Sequence, residues 1–140
     1  MAASATRGDY FIGLMSGTSA DAVDAALVRF EPTLELVATH PEPWPEALRE
    51  SLLALATPGA DEIHRLGVLD NAVARQFARA VQALLAGAGL PASRVRAIGS
   101  HGQTVRHDPG ASDPYTLQIG NPSLLAELSG ISVVADLRGR

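Results

Sequence analysis

The sequence predicts an α/β domain built on a mixed sheet, with an antiparallel hairpin or meander at its N-terminal end and flanking helices. Three short apolar segments come first, two stretches with helical periodicity follow, and strand-like segments then alternate with one more helix. The chain has 140 residues, 46% hydrophobic and 19% charged, which is enough to bury one core. We expect residues 1–9 to be a flexible N-terminus and residues 10–140 to form one domain.

The first part of the chain predicts three strands. Residues 10–15 read YFIGLM and residues 22–30 read AVDAALVRF, so two apolar segments flank a turn rich in glycine and serine. Residues 34–39, LELVAT, alternate apolar and polar positions and predict a third strand, which the prolines of PEPWP should end. We expect Trp44 to pack at that corner.

Two helices should follow, at residues 45–56 and 61–86. The second has the clearer pattern, because its apolar residues recur at steps of three or four, the helical period. It should end at GAGLP, where glycines and a proline terminate helices. The residues on the predicted buried face are Ile63, Leu66, Leu69, Val73, Phe77, Val81 and Leu84.

The remaining sequence predicts two strands, a helix and a last strand. Residues 95–102, VRAIGSHG, form a strand that runs into a glycine turn, and QTVRHDPGASDP follows as a polar loop. Residues 115–120 form the next strand, and Asn-Pro opens a helix that Ser-Gly closes. Residues 131–136, ISVVAD, predict the last strand.

Composition excludes several classes of function. The net charge is −4 and no basic cluster occurs, so nucleic acid is not an expected partner. All eleven basic residues are arginine, which excludes a P-loop lysine. No apolar stretch approaches the roughly 20 residues of a membrane helix. The chain has no cysteine, which is compatible with the cytoplasmic location that we expect, and its four histidines lack the spacing of a metal cluster.

The turn between the first two predicted strands is a candidate phosphate site. Residues 13–24 read GLMSGTSADAVD, where Gly17 allows close approach of a ligand, and Thr18 and Ser19 offer N–H and hydroxyl donors. The same composition is typical of an ordinary hairpin turn, and the stretch alone leaves both interpretations open. It matches neither the dinucleotide-binding glycine pattern nor the nucleophile elbow.

Two carboxylates follow this turn. Asp21 and Asp24 would repel a bound phosphate unless Mg²⁺ or its water shell lay between them, so they suggest a metal–nucleotide site. The alternative is structural, with Asp21 as an exposed turn residue and Asp24 as a cap on local backbone groups.

Three further polar motifs follow predicted strands. His101 and Gln103 lie at the end of the strand at residues 95–102, Asn121 follows the next strand, and Asp136 and Arg138 follow the last. Ligands of α/β proteins bind at the carboxyl ends of strands, so these residues could share one cleft. The alternatives are a capping or buried histidine, a helix-entry asparagine and a salt-bridged Asp–Arg pair.

Four stretches together resemble one family. IGLMSGTSADAVDAALV, AIGSHGQTVRH, TLQIGNPSLLAE and GISVVADLRGR, in this order, are similar to the N-terminal part of the anhydro-N-acetylmuramic acid kinases. These enzymes belong to the superfamily of sugar kinases, heat-shock ATPases and actin. The resemblance implies an actin-like ATPase domain, also called ribonuclease H-like.

The resemblance implies a specific chemistry. ATP and Mg²⁺ would phosphorylate the sugar while water opens its anhydro bridge, giving N-acetylmuramic acid 6-phosphate in peptidoglycan recycling and amino sugar metabolism. It implies a cytoplasmic enzyme whose full-length form is a homodimer. The implied ATP-binding residues are Gly17, Thr18, Ser19, Ala20, Asp21, Ala22, Val23 and Asp24. The candidate sugar-binding residues are His101, Gln103, Asn121, Asp136 and Arg138.

The sequence also departs from the family pattern. The family usually reads GTSLDG, whereas Ala20 and Ala22 stand here in place of the leucine and the second glycine. The resemblance places the general base and the adenosine-binding segments beyond Arg140, so we expect a truncated domain that is inactive alone. The alternatives are a non-catalytic remnant, or an ATPase similar to sugar and acetate kinases with another acceptor.

Overall fold

The computed structural model describes residues 10–139, so the predicted flexible segment 1–9 lies outside the described residues. Six strands and three helices lie in this range, with a 3₁₀ turn at Ala92–Arg94. The strands are β1 (Tyr10–Ser16), β2 (Ala22–Arg29), β3 (Glu35–Pro43), β4 (Val95–Asp108), β5 (Tyr115–Ile119) and β6 (Val133–Val134). The helices are α1 (Glu46–Leu55), α2 (Glu62–Ala88) and α3 (Pro122–Ser129).

The strands form one mixed sheet. Its order is β3-β2-β1-β4-β5, with β6 paired to β4 as a branch. The first three strands are an antiparallel meander, and β1, β4 and β6 run parallel to one another. The β5 strand returns antiparallel to the second half of β4. The predicted α/β class, with a meander followed by parallel crossovers and flanking helices, is confirmed.

The helices cover one face of the sheet, and α2 supplies most of the core on that side. Successive residues of a strand point to opposite faces, so Ile12 and Leu14 of β1 are buried while Gly13 and Met15 are exposed on the other face. The α2 helix packs on β2, β3 and α3. Its fully buried side chains include Val73, Phe77, Val81 and Leu84. None of the helices in the described part of the chain is long and apolar enough to cross a membrane.

A β-bulge in β4 determines the course of that strand. Leu14 pairs with Ser100 and Ser16 with Gln103, so two residue steps of β1 are matched by three of β4. Gly102 takes up the extra residue with a φ of +77°, a backbone conformation that favours glycine. Beyond the bulge, β4 continues to Asp108 as the partner of β5. The prediction of a loop starting at the QTVRHD residues was therefore wrong, because the glycine bends the strand without ending it.

Three other predictions need correction. The third strand runs on through Pro41 and Pro43, because β3 is an edge strand, where a proline removes no hydrogen bond that the sheet needs. The last strand is Val133–Val134 alone and not residues 131–136. Ile63, predicted on the buried face of the long helix, is 90% exposed, and Glu62 is the residue of this turn that contacts β4, through Arg106.

Arg106 links the helical layer to the sheet beyond the bulge. Its guanidinium donates one hydrogen bond to the carboxylate of Glu62 at the start of α2, and another of 3.1 Å to the carbonyl of Leu55 at the end of α1. The hydrogen bond from Arg106 lowers the pKa of the Glu62 carboxyl, and the pKa of Arg106 is raised by the same contact. Arg106 thereby holds the connection between α1 and α2 against β4.

We expect Gly102→Ala to lower the free energy of unfolding by at least about 2 kcal/mol. The added Cβ would lie 2.7 Å from the carbonyl oxygen of Ile119, at a φ that alanine adopts with strain. Gly13→Ala is the matched control, because its Cβ meets no atom within 4 Å. Urea denaturation of both variants measures the difference. Equal losses at the two glycines would contradict the role given to Gly102.

The Glu62–Arg106 pair predicts a pH dependence of stability. A carboxyl with a lowered pKa in the folded state stabilises the fold above its unfolded pKa of about 4.5, and that contribution is lost as the pH falls through the lowered value. We expect Glu62→Gln to be less stable than the parent at neutral pH and to lose less stability on acidification. Urea denaturation from neutral pH to below 4.5 measures both effects.

The control for this experiment is Glu50→Gln, which removes an exposed carboxylate from α1. The prediction fails if the two variants show the same pH profile of unfolding free energy.

Candidate functional site

The loop between β1 and β2 is compact and leaves donors free. It comprises residues 17–21, and the N–H of Ala20 donates a 3.0 Å hydrogen bond to the carbonyl of Gly17. Gly17, Thr18 and Ser19 are exposed, and the N–H groups of Thr18 and Ser19 donate no hydrogen bond within residues 10–139. A Cβ on Gly17 would meet nothing within 4 Å. The loop thus offers adjacent amide donors beside open space, an arrangement that suits an anion.

Two side chains hold this loop from different directions. From the sheet, Gln103 donates a 3.0 Å hydrogen bond from its Nε2 to the carbonyl of Gly17. From α1, Arg49 donates a 3.2 Å hydrogen bond to the carbonyl of Ser19 and lies 3.6 Å from a carboxylate oxygen of Asp21. Both contacts engage carbonyl or carboxylate oxygens of the loop. They therefore leave its N–H groups available.

A third contact fixes the strand that leads into the loop. Trp44 is buried between β3 and α1, and its Nε1 donates a 3.0 Å hydrogen bond to the Oγ of Ser16. Its ring also packs against that of Phe77, with centroids 6.3 Å apart. The prediction that Trp44 packs at the corner after β3 is confirmed.

The strained residue of the loop is Ala20. Its φ is +50°, and its side chain is 1% exposed. A non-glycine residue in this conformation costs about 1 kcal/mol, which burial of the methyl group partly offsets. Gly17 itself has no positive φ, so the backbone of this turn does not require a glycine at that position. Its use is the space that it leaves, rather than the turn that it makes.

The remaining candidates in this stretch differ in their surroundings. Asp21 is 76% exposed, and Asp24 is exposed on the uncovered face of the sheet, where it pairs with Met15. Ala22 is half-buried at the start of β2, and Val23 is buried in the core. Within residues 10–139, three or more metal-ligating side chains do not group together. Mg²⁺ needs only one or two carboxylates besides phosphate oxygens and water, so the loop fits a metal that arrives with a nucleotide.

A cleft of about 280 Å³ lies on the other side of the β4 bulge, between the strand ends and α2. His101 and Asp136, both predicted as sugar-binding residues, line it. The cleft thus brings together the bulge of β4, the end of β5 and the segment after β6, whereas the predicted end of a strand at His101 is not observed. The lining side chains that carry polar groups are those of Asp70, Ser100, His101, Thr116, Gln118 and Asp136.

Sequence reasoning did not identify Ser100, Asp70 or Gln118 as residues of this cleft. Ser100 is 2% exposed, and its Oγ has no hydrogen-bond partner, an arrangement that costs free energy unless a ligand or water pairs with it. Asp70 accepts a 2.7 Å hydrogen bond from the N–H of Gly120. A lone serine within a strand has no periodic pattern that would mark it, and the helical period gave no reason to single out Asp70 as a site residue.

Gln103 and Asn121 have protein partners. Gln103 is 2% exposed, and its Nε2 bonds the carbonyls of Gly17 and Thr104. Asn121 caps α3, since its Oδ1 accepts from the N–H groups of Ser123 and Leu124 at 3.1 Å each. These contacts support structural roles, and sugar binding by the two residues stays a prediction.

Arg138 lines a second pocket, next to the cleft. This pocket has a volume of about 370 Å³, and its polar side chains are those of His107, Tyr115, Thr116 and Arg138. Thr116 lines both the pocket and the cleft. The Nε2 of Gln118 donates to the Oγ1 of Thr116 at 2.7 Å and to that of Thr104 at 3.1 Å, which fixes the wall between the two spaces.

Comparison with known proteins identifies similar chains. A family model described as anhydro-N-acetylmuramic acid kinase matches residues 9–140. Proteins of that name from Shewanella amazonensis and Bordetella petrii are 55% and 56% identical over 129 and 137 residues. These matches cover 91% and 96% of this chain, and 35% and 36% of the relatives. The chain therefore spans about a third of the length of the curated relatives that it matches.

A solved structure is also similar, that of YeaZ from Pseudomonas aeruginosa. It has a TM-score of 0.38 and 24% sequence identity, and the match covers 92% of this chain and 44% of that one. The residues matched by the family model include the loop, the cleft and the second pocket. This chain belongs to the anhydro-N-acetylmuramic acid kinase family.

Proposed function

We propose that the chain is the N-terminal part of an ATP-dependent kinase that phosphorylates anhydro-N-acetylmuramic acid. In the proposed reaction, the γ-phosphoryl group passes to the sugar and water opens the anhydro bridge. The product would be N-acetylmuramic acid 6-phosphate, an intermediate of peptidoglycan recycling in the cytoplasm. The observation that carries the proposal is the loop of residues 17–21, with free amide donors, in a chain of this family.

The loop supports phosphate binding through its backbone. The N–H groups of Thr18 and Ser19 lack protein acceptors within the described range, and the missing side chain of Gly17 leaves room for phosphate oxygens. Because Gln103 and Arg49 hold the loop by its oxygens, it is already shaped before a ligand binds. Such preorganisation is the main contribution that a protein makes to phosphoryl transfer.

Asp21 and Asp24 are the residues proposed to engage Mg²⁺, directly or through its water shell. The metal would neutralise charge on the phosphate oxygens. Arg49 lies 3.6 Å from Asp21 and offsets part of that carboxylate's charge, which reduces its repulsion of a phosphate in the loop.

The cleft is the proposed site of the sugar. Ser100, His101 and Asp136 offer a hydroxyl, an imidazole and a carboxylate, which can hydrogen-bond to sugar hydroxyl groups. Gln103 follows His101 by two residues and holds the loop, so the nucleotide and sugar sites would be linked by one short segment of β4.

We expect Gly17→Val to weaken the binding of a non-hydrolysable Mg·ATP analogue at least about tenfold, because the side chain would fill the space left for phosphate oxygens. The backbone conformation of Gly17 and its open surroundings allow the substitution without strain. Isothermal titration calorimetry measures the affinity, and Gly13→Ala, outside the loop, is the control. An unchanged affinity in Gly17→Val would refute the placement of phosphate at this loop.

We expect the 140-residue chain alone to form no ADP in response to anhydro-N-acetylmuramic acid. In our proposal the general base and the adenosine-binding segments lie in the part of the relatives' length that these residues do not cover, so most of the positioning that the reaction needs would be missing. A coupled assay for ADP measures this, with the protein made from the complete reading frame as the positive control. The family's activity should appear only in that control, and a preference there for an unbridged hexose would contradict the proposed substrate.

A further inference from the structure

We propose that Gln103 is a positioning residue for the nucleotide. It holds the peptide unit between Gly17 and Thr18 so that the N–H of Thr18 points out of the protein, toward a phosphate oxygen. The inference rests on the proposed function, because it needs a nucleotide phosphate at the loop. It adds a residue that lies outside the loop and acts on the phosphate only through the backbone.

The carbonyl of Gly17 is held from two sides. It accepts a 3.0 Å hydrogen bond from the N–H of Ala20 within the loop, and another of 3.0 Å from the Nε2 of Gln103 in β4. A carbonyl oxygen has two lone pairs, so these two bonds use its whole capacity. The first bond closes the turn, and the second ties that turn to the interior of the sheet.

The direction of this carbonyl determines the direction of the next N–H. The peptide bond between Gly17 and Thr18 is trans and planar, so the C=O of Gly17 and the N–H of Thr18 point in opposite directions. Gln103 is 2% exposed and holds the carbonyl toward the interior. Thr18 is exposed, and its N–H donates no hydrogen bond within residues 10–139. The N–H of Thr18 is thereby directed outward, where an anion can accept from it.

The orientation of the Gln103 amide follows from its neighbours. Its Nε2 lies 3.0 Å from the carbonyl of Gly17 and 3.2 Å from that of Thr104, and only the amide nitrogen can donate to two carbonyl oxygens. The Oε1 is buried and has no partner within the described residues. A buried acceptor without a partner costs free energy, so an apolar side chain would suit this position better if stability were the only requirement. What Gln103 supplies here is the donor to Gly17.

A second buried glutamine provides a matched comparison. Gln76 of α2 is 5% exposed, and its Nε2 donates a 2.7 Å hydrogen bond to the carbonyl of Pro43. The two glutamines therefore make the same kind of bond, but that of Gln76 ends on β3 and not on the loop. Loss of either bond should lower the free energy of unfolding, whereas only loss of the Gln103 bond should weaken phosphate binding.

The test measures phosphate-dependent binding in the protein made from the complete reading frame. Calorimetry gives the affinities for a non-hydrolysable Mg·ATP analogue and for adenosine, which has no phosphate. We expect Gln103→Met, which fills the same space without the donor, to weaken binding of the analogue about tenfold and to leave that of adenosine within about twofold. Gln103→Glu should have the same effect, because a carboxylate cannot donate to the carbonyl of Gly17.

The control is Gln76→Met, which should leave both affinities unchanged. Urea denaturation of the two methionine variants should show a loss of stability in each, so a difference between them in phosphate binding cannot come from stability alone.

The outcomes separate this inference from the proposed function. If the parent binds the analogue no more tightly than adenosine, the proposed phosphate site fails and this inference fails with it. If the parent binds the analogue, the positioning role alone is refuted when Gln103→Met binds it equally well, weakens both ligands to the same extent, or loses no more affinity than Gln76→Met. It is also refuted if both Gln103 variants unfold where Gln76→Met stays folded, since Gln103 would then serve only the stability of the fold.

Discussion

The bulge at residues 101–102 of β4 is the constraint on which the rest of the structure depends. Before it, β4 is a parallel partner of β1 and β6, and after it β4 is an antiparallel partner of β5. Gly102 takes up the bulge with a φ of +77°, at a place where an added Cβ would lie 2.7 Å from the carbonyl oxygen of Ile119. The cleft is formed where these two parts of the sheet diverge.

The bulge also determines which side of the sheet Gln103 faces. In a regular strand, Ser100 and Gln103 would point to opposite faces, since three residues separate them. The extra residue places both on the helix-covered face, next to Leu14 and Ser16 of β1. Gln103 can then bind Gly17 from the interior, 86 positions away in sequence. A local backbone irregularity is thus the reason that the β1–β2 loop has a fixed shape.

Much of the fold could be predicted from the sequence. In most elements the spacing of the apolar residues and the positions of glycine and proline indicate the same structure. The α2 helix and the β1–β2 hairpin were identified within a few residues. The errors arose where the place of a segment in the sheet outweighs the proline or glycine residues in its own sequence. Pro41 and Pro43 do not end β3, because an edge strand tolerates them, and the glycine turn after His101 does not end β4, because β5 supplies a new partner.

The candidate site was predictable only in part, for a similar reason. Gly17, Thr18 and Ser19 are adjacent in the chain, so composition alone drew attention to them. The cleft combines residues from α2, from β4 and β5, and from the segments that follow β5 and β6, and a lone buried serine carries no periodic signal. The residue type at position 121 fits two roles. Asparagine can bind a sugar, and it is also a preferred residue for the N-cap of a helix, which is the position that Asn121 occupies.

The charged side chains are distributed unevenly over the loop, the cleft and the second pocket. Arg49 contacts the loop, Arg138 lines the second pocket, and Asp70 and Asp136 line the cleft. These residues belong to separate motifs of the sequence. Asp70 lies in the middle of a long helix and Asp136 follows the last strand, so only the folded chain places the two carboxylates along one cleft.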